Sequence, residues 1–254
     1  MTRGSPPMRV ARPRNVALAV GGAALVVALA PPMSSVAADG FSGHMVQHLL
    51  LFTAAPLLLV AGDVTGRLRR SVPPRTARRV ALGERRLSSR PALLVAAALV
   101  VHGGVVGVWH LPTAYDSAVS SDAVHRLEHA SMFWAGAWFW WVVFDGARRL
   151  PAACVVAVFV AALQMGAVAA LLSWAPEAMY DVHASDAGWG PDPLGDQQIG
   201  AALMWTVGGA AYVVAGVGLF ARWLAAESRR SRFVDPAGWV LRKGAGPVAG
   251  RSAP

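Results

Sequence analysis

Apolar positions along this chain fall in long, almost unbroken stretches separated by short polar ones, with neither the alternation of a half-buried strand nor the single stripe of a soluble helix. Five stretches cover about residues 41–62, 91–111, 122–144, 151–174 and 196–223. A hydrocarbon core of about 30 Å requires about 20 mostly apolar residues per helix, because each backbone polar group has to be satisfied within the segment. All five meet that length. A sixth stretch, 16–30, is shorter; Arg3, Arg9, Arg12 and Arg14 precede it and Pro31-Pro32 follows it. Its basic start, apolar middle and the small residues Val36, Ala37 and Ala38 before Asp39 fit a cleavable signal as well as a first membrane helix. In either reading the chain has reached the outer side before Phe41. The pattern predicts an all-α, polytopic membrane helix bundle of about six transmembrane helices.

Charge orients that bundle, since basic residues are retained on the cytoplasmic side. Nine arginines lie between Arg67 and Arg90, Arg148 and Arg149 follow the stretch ending at Phe144, and seven basic residues lie from Arg222 to the end. With the N-terminal four, these account for all of the 23 Lys and Arg except Arg126. The alternate loops carry Asp39, Asp116, Glu177, Asp181, Asp186 and Asp192 without a basic residue. Both termini are therefore expected in the cytoplasm, with a basic N-terminus over 1–15, a transmembrane domain over 16–225 and a flexible basic tail over 226–254. At 55% hydrophobic and 15% charged, the 254 residues depart from soluble domains, which carry about 25% charged residues. The net charge of +9 belongs to loops rather than to one basic face, which sets nucleic acid aside as a partner and leaves the lipid bilayer. A single cysteine, Cys154, allows neither an internal disulfide nor a Cys-x-x-Cys motif.

The histidines carry the candidate chemistry. Six of the seven, His44, His48, His110, His125, His129 and His183, fall at the outer ends of helices or in an outer loop. Ionisable side chains are costly in lipid and mark functional sites by default. His44 and His48 are four apart, about 6 Å along one helical face, with Gln47 beside them. His125, Glu128 and His129 form a similar stripe, continued by Met132, and His110 ends its helix just before Leu111-Pro112. Met45 adds a thioether nearby. Imidazole suits Cu, Zn, Fe and Ni, and thioether adds a preference for Cu(I), so the donor set favours copper over zinc. Glu128 is expected to orient an imidazole by accepting its second N–H, or else to pair with Arg126. Asp196, Gln197 and Met204 of the last stretch, with Gln164 and Met165 of the fifth, lie toward the same end; Asp196 alternatively caps its own helix. His102 lies about 12 Å deeper than His110, where a proton relay, a hydrogen-bonded interior residue or a ligand would each fit. His183 is expected to be solvated in its loop.

Two other chemistries use the same residues. His125 to His129 reads His-x-x-Glu-His, the order of inverse zinc proteases, with Glu128 as general base. Histidines on facing helices can also ligate one haem, as in an electron carrier.

Together, His44-Met45-Val46-Gln47-His48-Leu49-Leu50-Leu51, Trp109-His110-Leu111-Pro112 with Tyr115-Asp116, His125 to His129 with Phe139-Trp140-Trp141, and Asp196-Gln197-Gln198 with Met204-Trp205 resemble the CtaG (Caa3-type) family of cytochrome c oxidase assembly factors. The resemblance covers about residues 31–224. It implies a multi-pass plasma-membrane protein, not an enzyme, that works with cytochrome c oxidase subunits to metallate the copper centre of a caa3-type oxidase. It also implies that copper is held at outward histidines, matched here by His44, His48, His110, His125 and His129. Members of the family resemble seven-helix proteins, whereas this chain yields six, the missing one lying before Val16.

Overall fold

The computed structural model describes residues 13–185 and 188–233, with side chains described through Arg229. Every regular element among them is helical. Helix α1 (Pro13–Leu29) stops where Pro31 removes a backbone donor, and α2 (Pro31–Ala38) leaves it at a bend of 55°. Helix α3 (Phe41–His48) continues through a π-helical segment (Leu49–Ala54) into α4 (Ala55–Ala61) as one span. Two basic helices, α5 (Val64–Ser71) and α6 (Pro74–Leu87), lead to α7 (Pro91–Trp109), short α8 (Pro112–Ser120) and α9 (Asp122–Gly146). After α10 (Pro151–Ser173) comes a loop with one 3-10 turn (Asp181–His183). Helix α11 (Pro193–Leu203), a second π-helical segment (Met204–Gly208) and α12 (Gly209–Phe233) complete the fold.

Among the described residues, four helices are long and apolar enough to cross a membrane, and the bent α1–α2 pair makes a fifth if counted as one span. Helix α9 has the length, 25 residues or about 37 Å, but its two histidines, Glu128 and four tryptophans lower its hydropathy. Its polar stripe is turned inward, with Glu128, Met132, Phe139 and Trp140 each no more than 1% exposed. The six expected stretches are therefore all helices, and α9 is polar because of what it carries into the bundle.

Helix α9 sits close to the second span because Gly136 has no side chain. A Cβ there would stand 2.2 Å from the Phe52 carbonyl oxygen. That carbonyl lacks its ordinary helical donor, since the nitrogen four residues on belongs to Pro56, which has no hydrogen. The proline thus explains both the π-helical segment upstream of it and the close approach of α9.

Four expectations need correction. The segment 67–90 was expected as a loop and is mostly the two helices α5 and α6, rich in the helix formers Ala, Arg, Leu and Glu. His183 is buried, at 4% exposed, rather than solvated. Asp196 does not cap α11; Asp192 does, accepting from the Gly195 N–H at 2.7 Å. Helix α12 runs on to Phe233, past the residue where the tail was expected to begin. Residues 1–12 and 234–254, the rest of the expected basic termini, and Asp186 lie outside the described residues.

Candidate metal centre

The histidine layer is assembled from three elements at the end of the bundle opposite α5 and α6. On α3 the four-residue spacing stacks His44 and His48, with ring centroids 4.3 Å apart and the two Nε2 atoms 2.8 Å apart. On α9 the same spacing brings the His125 and His129 rings to 4.0 Å. The pairs face each other: His44 lies 5.4 Å from His125 and 6.3 Å from His129, and His48 lies 6.0 Å from His129. Leu111-Pro112 ends α7 and leaves His110 as its C-cap, 6.0 Å from the His48 ring.

Glu128 reaches across from α9 to the α3 pair. One carboxylate oxygen is 3.4 Å from His44 Nε2 and the other 3.4 Å from His48 Nε2. It is wholly buried, and among the described residues its ion-pair partners are those two imidazoles, not Arg126. A carboxylate in such surroundings requires a compensating positive charge. One ligand atom from each of His44, His125, Glu128 and His129 fits in a group within 4.8 Å of one another. Two ligands at about 2.1 Å from a shared ion stand at most about 4.2 Å apart, so small side-chain rotations would close the set on one ion.

The unpartnered atoms point the same way. Within that group, His125 Nε2, His129 Nε2 and both Glu128 oxygens are buried without a hydrogen-bond partner. Buried polar groups are ordinarily satisfied, and lone pairs converging without donors are what a cation would use. The donor set of imidazoles with a carboxylate therefore fits a transition ion. His44, His48 and Glu128 are closed off in the interior, while His125 and His129 are half-buried, so an ion would enter on the α9 side.

Several expected site residues turn out to build the walls. Gln47 points away from the cluster and donates to the Ala28 carbonyl of α1 at 2.8 Å. Gln197 ties α11 to α10 through Leu172 O at 2.9 Å and accepts from the Met179 N–H. Asp196 accepts from the Ser42 N–H at 3.1 Å, from the Ser42 hydroxyl and from the Trp189 N–H, fixing the start of α3 beneath the outer loop. Asp116 accepts from the Val182 N–H at 3.4 Å. Met45 and Met204 line a small cavity beside His48 and His110 rather than the four-residue group. His102 is buried and bonded to the Tyr212 hydroxyl at 2.7 Å, sandwiched by Phe52 and Phe139.

Two aromatic residues complete the site wall, Tyr115 from a motif already noted and Tyr180 without one. Tyr115 on α8 packs 5.0 Å from the His44 ring and bonds to His183 Nε2 at 3.1 Å. Tyr180 donates to the His110 carbonyl at 3.1 Å. Burial pushes the Tyr115 phenol well up, with Tyr180, Glu128, Asp196 and Asp116 adding to it. Burial, helped by Asp116, does the same for Tyr180. Both phenols stay neutral at physiological pH, forming an uncharged roof over the imidazoles. Tyr115 lies within the Trp109 to Asp116 motif, but Tyr180 comes from a loop without recognisable spacing.

A large cavity, about 1260 Å³, lies at the opposite end among Arg14, Arg69, Arg85, Arg148 and Arg222. Its charges are partly paired internally, Arg69 with Glu84 at 2.9 Å and the nearby Arg70 with Asp63 at 3.2 Å. It is separate from the histidines.

A sequence model of one protein family, described as cytochrome c oxidase caa3 assembly factor (Caa3_CtaG), matches residues 2–226. No curated protein and no solved structure matches the chain.

Proposed function

This chain belongs to the family of cytochrome c oxidase caa3 assembly factors, and from that premise we propose that it is a plasma-membrane copper carrier for the oxidase. Copper is its cargo, held at the outward face by His44, His48, His125 and His129 with Glu128, and handed to a subunit of the oxidase during metallation of its copper centre. His110 borders the same group. The observation that carries this reading is the buried Glu128 carboxylate, faced by imidazoles and by no Lys or Arg among the described residues. A bound cation supplies the charge that position lacks. Imidazole and carboxylate ligands exchange more readily than a closed thiolate cage, which suits delivery rather than storage. In this reading 16–225 is the membrane domain that holds the ion, and the basic segments 1–15 and 226–254 face the cytoplasm.

The alternatives fit less well. A zinc hydrolase using His125, Glu128 and His129 needs Glu128 beside an open water position, but both its oxygens are turned toward the imidazoles of α3. A haem between facing histidines needs a pocket of roughly 300 Å³ or more; the cavity beside His48 and His110 holds about 20 Å³. A non-catalytic role follows from the assembly-factor family.

The test is made in cells. Deleting the protein should lower caa3 oxidase activity and deplete copper in the oxidase; the wild-type chain should restore both, and His125→Ala/His129→Ala should restore neither. Normal copper in the oxidase of the deletion strain would reject the assembly role.

A further inference from the structure

Inward of the histidines, four thioethers meet. Met45 of α3, Met132 of α9, Met165 of α10 and Met204 of the second π-helical segment line one cavity with His48 and His110. These are half of the eight methionines in the chain, and each is 4% exposed or less. On α9, Met132 lies three residues inward of His129, about 4.5 Å along the axis.

We propose that this cavity is a second metal site, selective for Cu(I), joined to the imidazole and carboxylate cluster through His48. The proposal rests on the reading that the chain handles copper, and assigns a separate place and oxidation state within it.

Methionine in a helix bundle is most often a flexible filler of gaps. Here the four side chains leave a gap, about 20 Å³, room for one water-sized body or a single ion. Two histidines, His48 and His110, border it as well. His110 Nδ1 donates to the Val106 carbonyl at 2.8 Å, so its Nε2 carries a lone pair. That Nε2 is buried without a partner, on a residue 8% exposed that lines the cavity. The other lining side chains are four thioethers, three aliphatic or aromatic groups and, of polar groups, only Thr53 and His48.

The backbone around the cavity is also unusual. Leu49, Phe52 and Thr53 of one π-helical segment and Met204 of the other border it. Such segments hold well under 1% of residues in ordinary proteins and are frequent at functional sites. Two of them, in separate spans, adjoin the same small volume. At the end of the second, Gly208 lets the Met165 sulfur lie against the backbone; a Cβ there would stand 2.6 Å from Sδ.

Ligand chemistry then selects the ion. Thioethers are neutral and soft, and favour Cu(I) over Zn(II) or Cu(II). A dry pocket without a carboxylate is also less costly for a monovalent ion than for a divalent one. The outer group, with Glu128, has the opposite preference. His48 belongs to both: it lines the cavity, and its Nε2 lies 2.8 Å from His44 and 3.4 Å from Glu128.

The experiment uses the full chain in detergent micelles, without oxygen. Cu(I) is titrated against a chromogenic Cu(I) chelator, and the copper-loaded protein is examined by X-ray absorption; Cu(II) is titrated separately. Wild type should bind Cu(I) with sulfur among its ligands. Met165→Leu/Met204→Leu should lose the sulfur signal and at least 10-fold in Cu(I) affinity while keeping Cu(II) affinity, which also reports that the variant is folded. His125→Ala/His129→Ala should do the reverse. Cu(I) bound by nitrogen and oxygen alone, or unchanged Cu(I) affinity in the methionine variant, would overturn the second site and leave the outer one standing. Failure of wild type to bind copper in either oxidation state would reject both.

Discussion

Glu128 is surrounded by groups that carry positive charge only when protonated or when they share a cation, and this makes its two roles separable. Glu128→Gln removes a buried charge, which by itself is neutral or stabilising, and removes a group that holds the ion or orients its ligands. We expect metal affinity to fall by about 10- to 100-fold, and the melting temperature of the metal-free protein to stay level or rise. A lower melting temperature with undiminished affinity would make Glu128 a structural residue. Asp196 predicts the opposite pattern: its carboxylate accepts from Ser42 and Trp189, so Asp196→Asn should cost about 1–3 kcal/mol of stability and leave metal stoichiometry intact in dialysis. The roof residues add a pH dependence. Burial raises the Tyr115 and Tyr180 phenols in the folded state, whereas an unfolded tyrosine ionises near 10. Their contribution is therefore complete below about pH 10 and is lost above it, as the unfolded chain releases those protons first. Tyr115→Phe should shrink the alkaline fall in melting temperature.

The histidine spacings were legible because an i, i+4 pair is a property of one helix. Which partner each would meet was not. Gln47 and Asp196 lie on the expected helices, yet their hydrogen bonds go to Ala28 of α1 and to Ser42 of α3, choices that depend on how spans pack and not on local sequence.

Among elements, the apolar stretches translate directly into helices because a bilayer leaves the backbone no other arrangement. The basic segment did not read so clearly. In α5 and α6 the charged residues suggested a loop, but Arg, Ala, Leu and Glu are good helix formers and Pro74 is suited to a first turn. Their apolar residues Leu68, Val80, Leu82 and Leu87 are exposed, as befits helices lying on a membrane surface. The π-helical segment of the second span did leave a trace: Pro56 cancels the donor that Phe52 O would otherwise receive. The segment at Met204–Gly208 has no comparable proline, and its origin lies in packing. The contact between Gly136 and Phe52 gives the prediction at this scale. Gly136→Ala places a methyl 2.2 Å from that carbonyl and should cost about 1–3 kcal/mol, read as a lower melting temperature with weaker metal binding, because α9 carries His125, Glu128 and His129. A variant as stable as wild type would show that α9 can retreat without disturbing the site.

At the scale of the molecule, polar chemistry is divided between the two ends of the bundle, arginines with α5 and α6 at one and histidines at the other. The arginine distribution predicts which end is cytoplasmic, and thiol labelling of intact cells checks it. Cys154 is buried, so background reaction should be low. Ser117→Cys on α8 should react with a membrane-impermeant thiol reagent added outside, and Ser71→Cys on α5 only after the membrane is opened; the reverse pattern would turn the proposed site toward the cytoplasm. Family and architecture were readable from motif order, because four motifs on separate spans share one layer. The inner cavity was not, since Met132, Met165 and Met204 come together only when three spans pack.

The most direct measurement is Cu(II) binding to the purified full chain, by equilibrium dialysis with electron paramagnetic resonance to identify nitrogen ligands. Wild type should bind the ion with imidazole nitrogen around it, and both His44→Ala/His48→Ala and His125→Ala/His129→Ala should lose that species. Undiminished, nitrogen-ligated copper in both double variants would contradict the account.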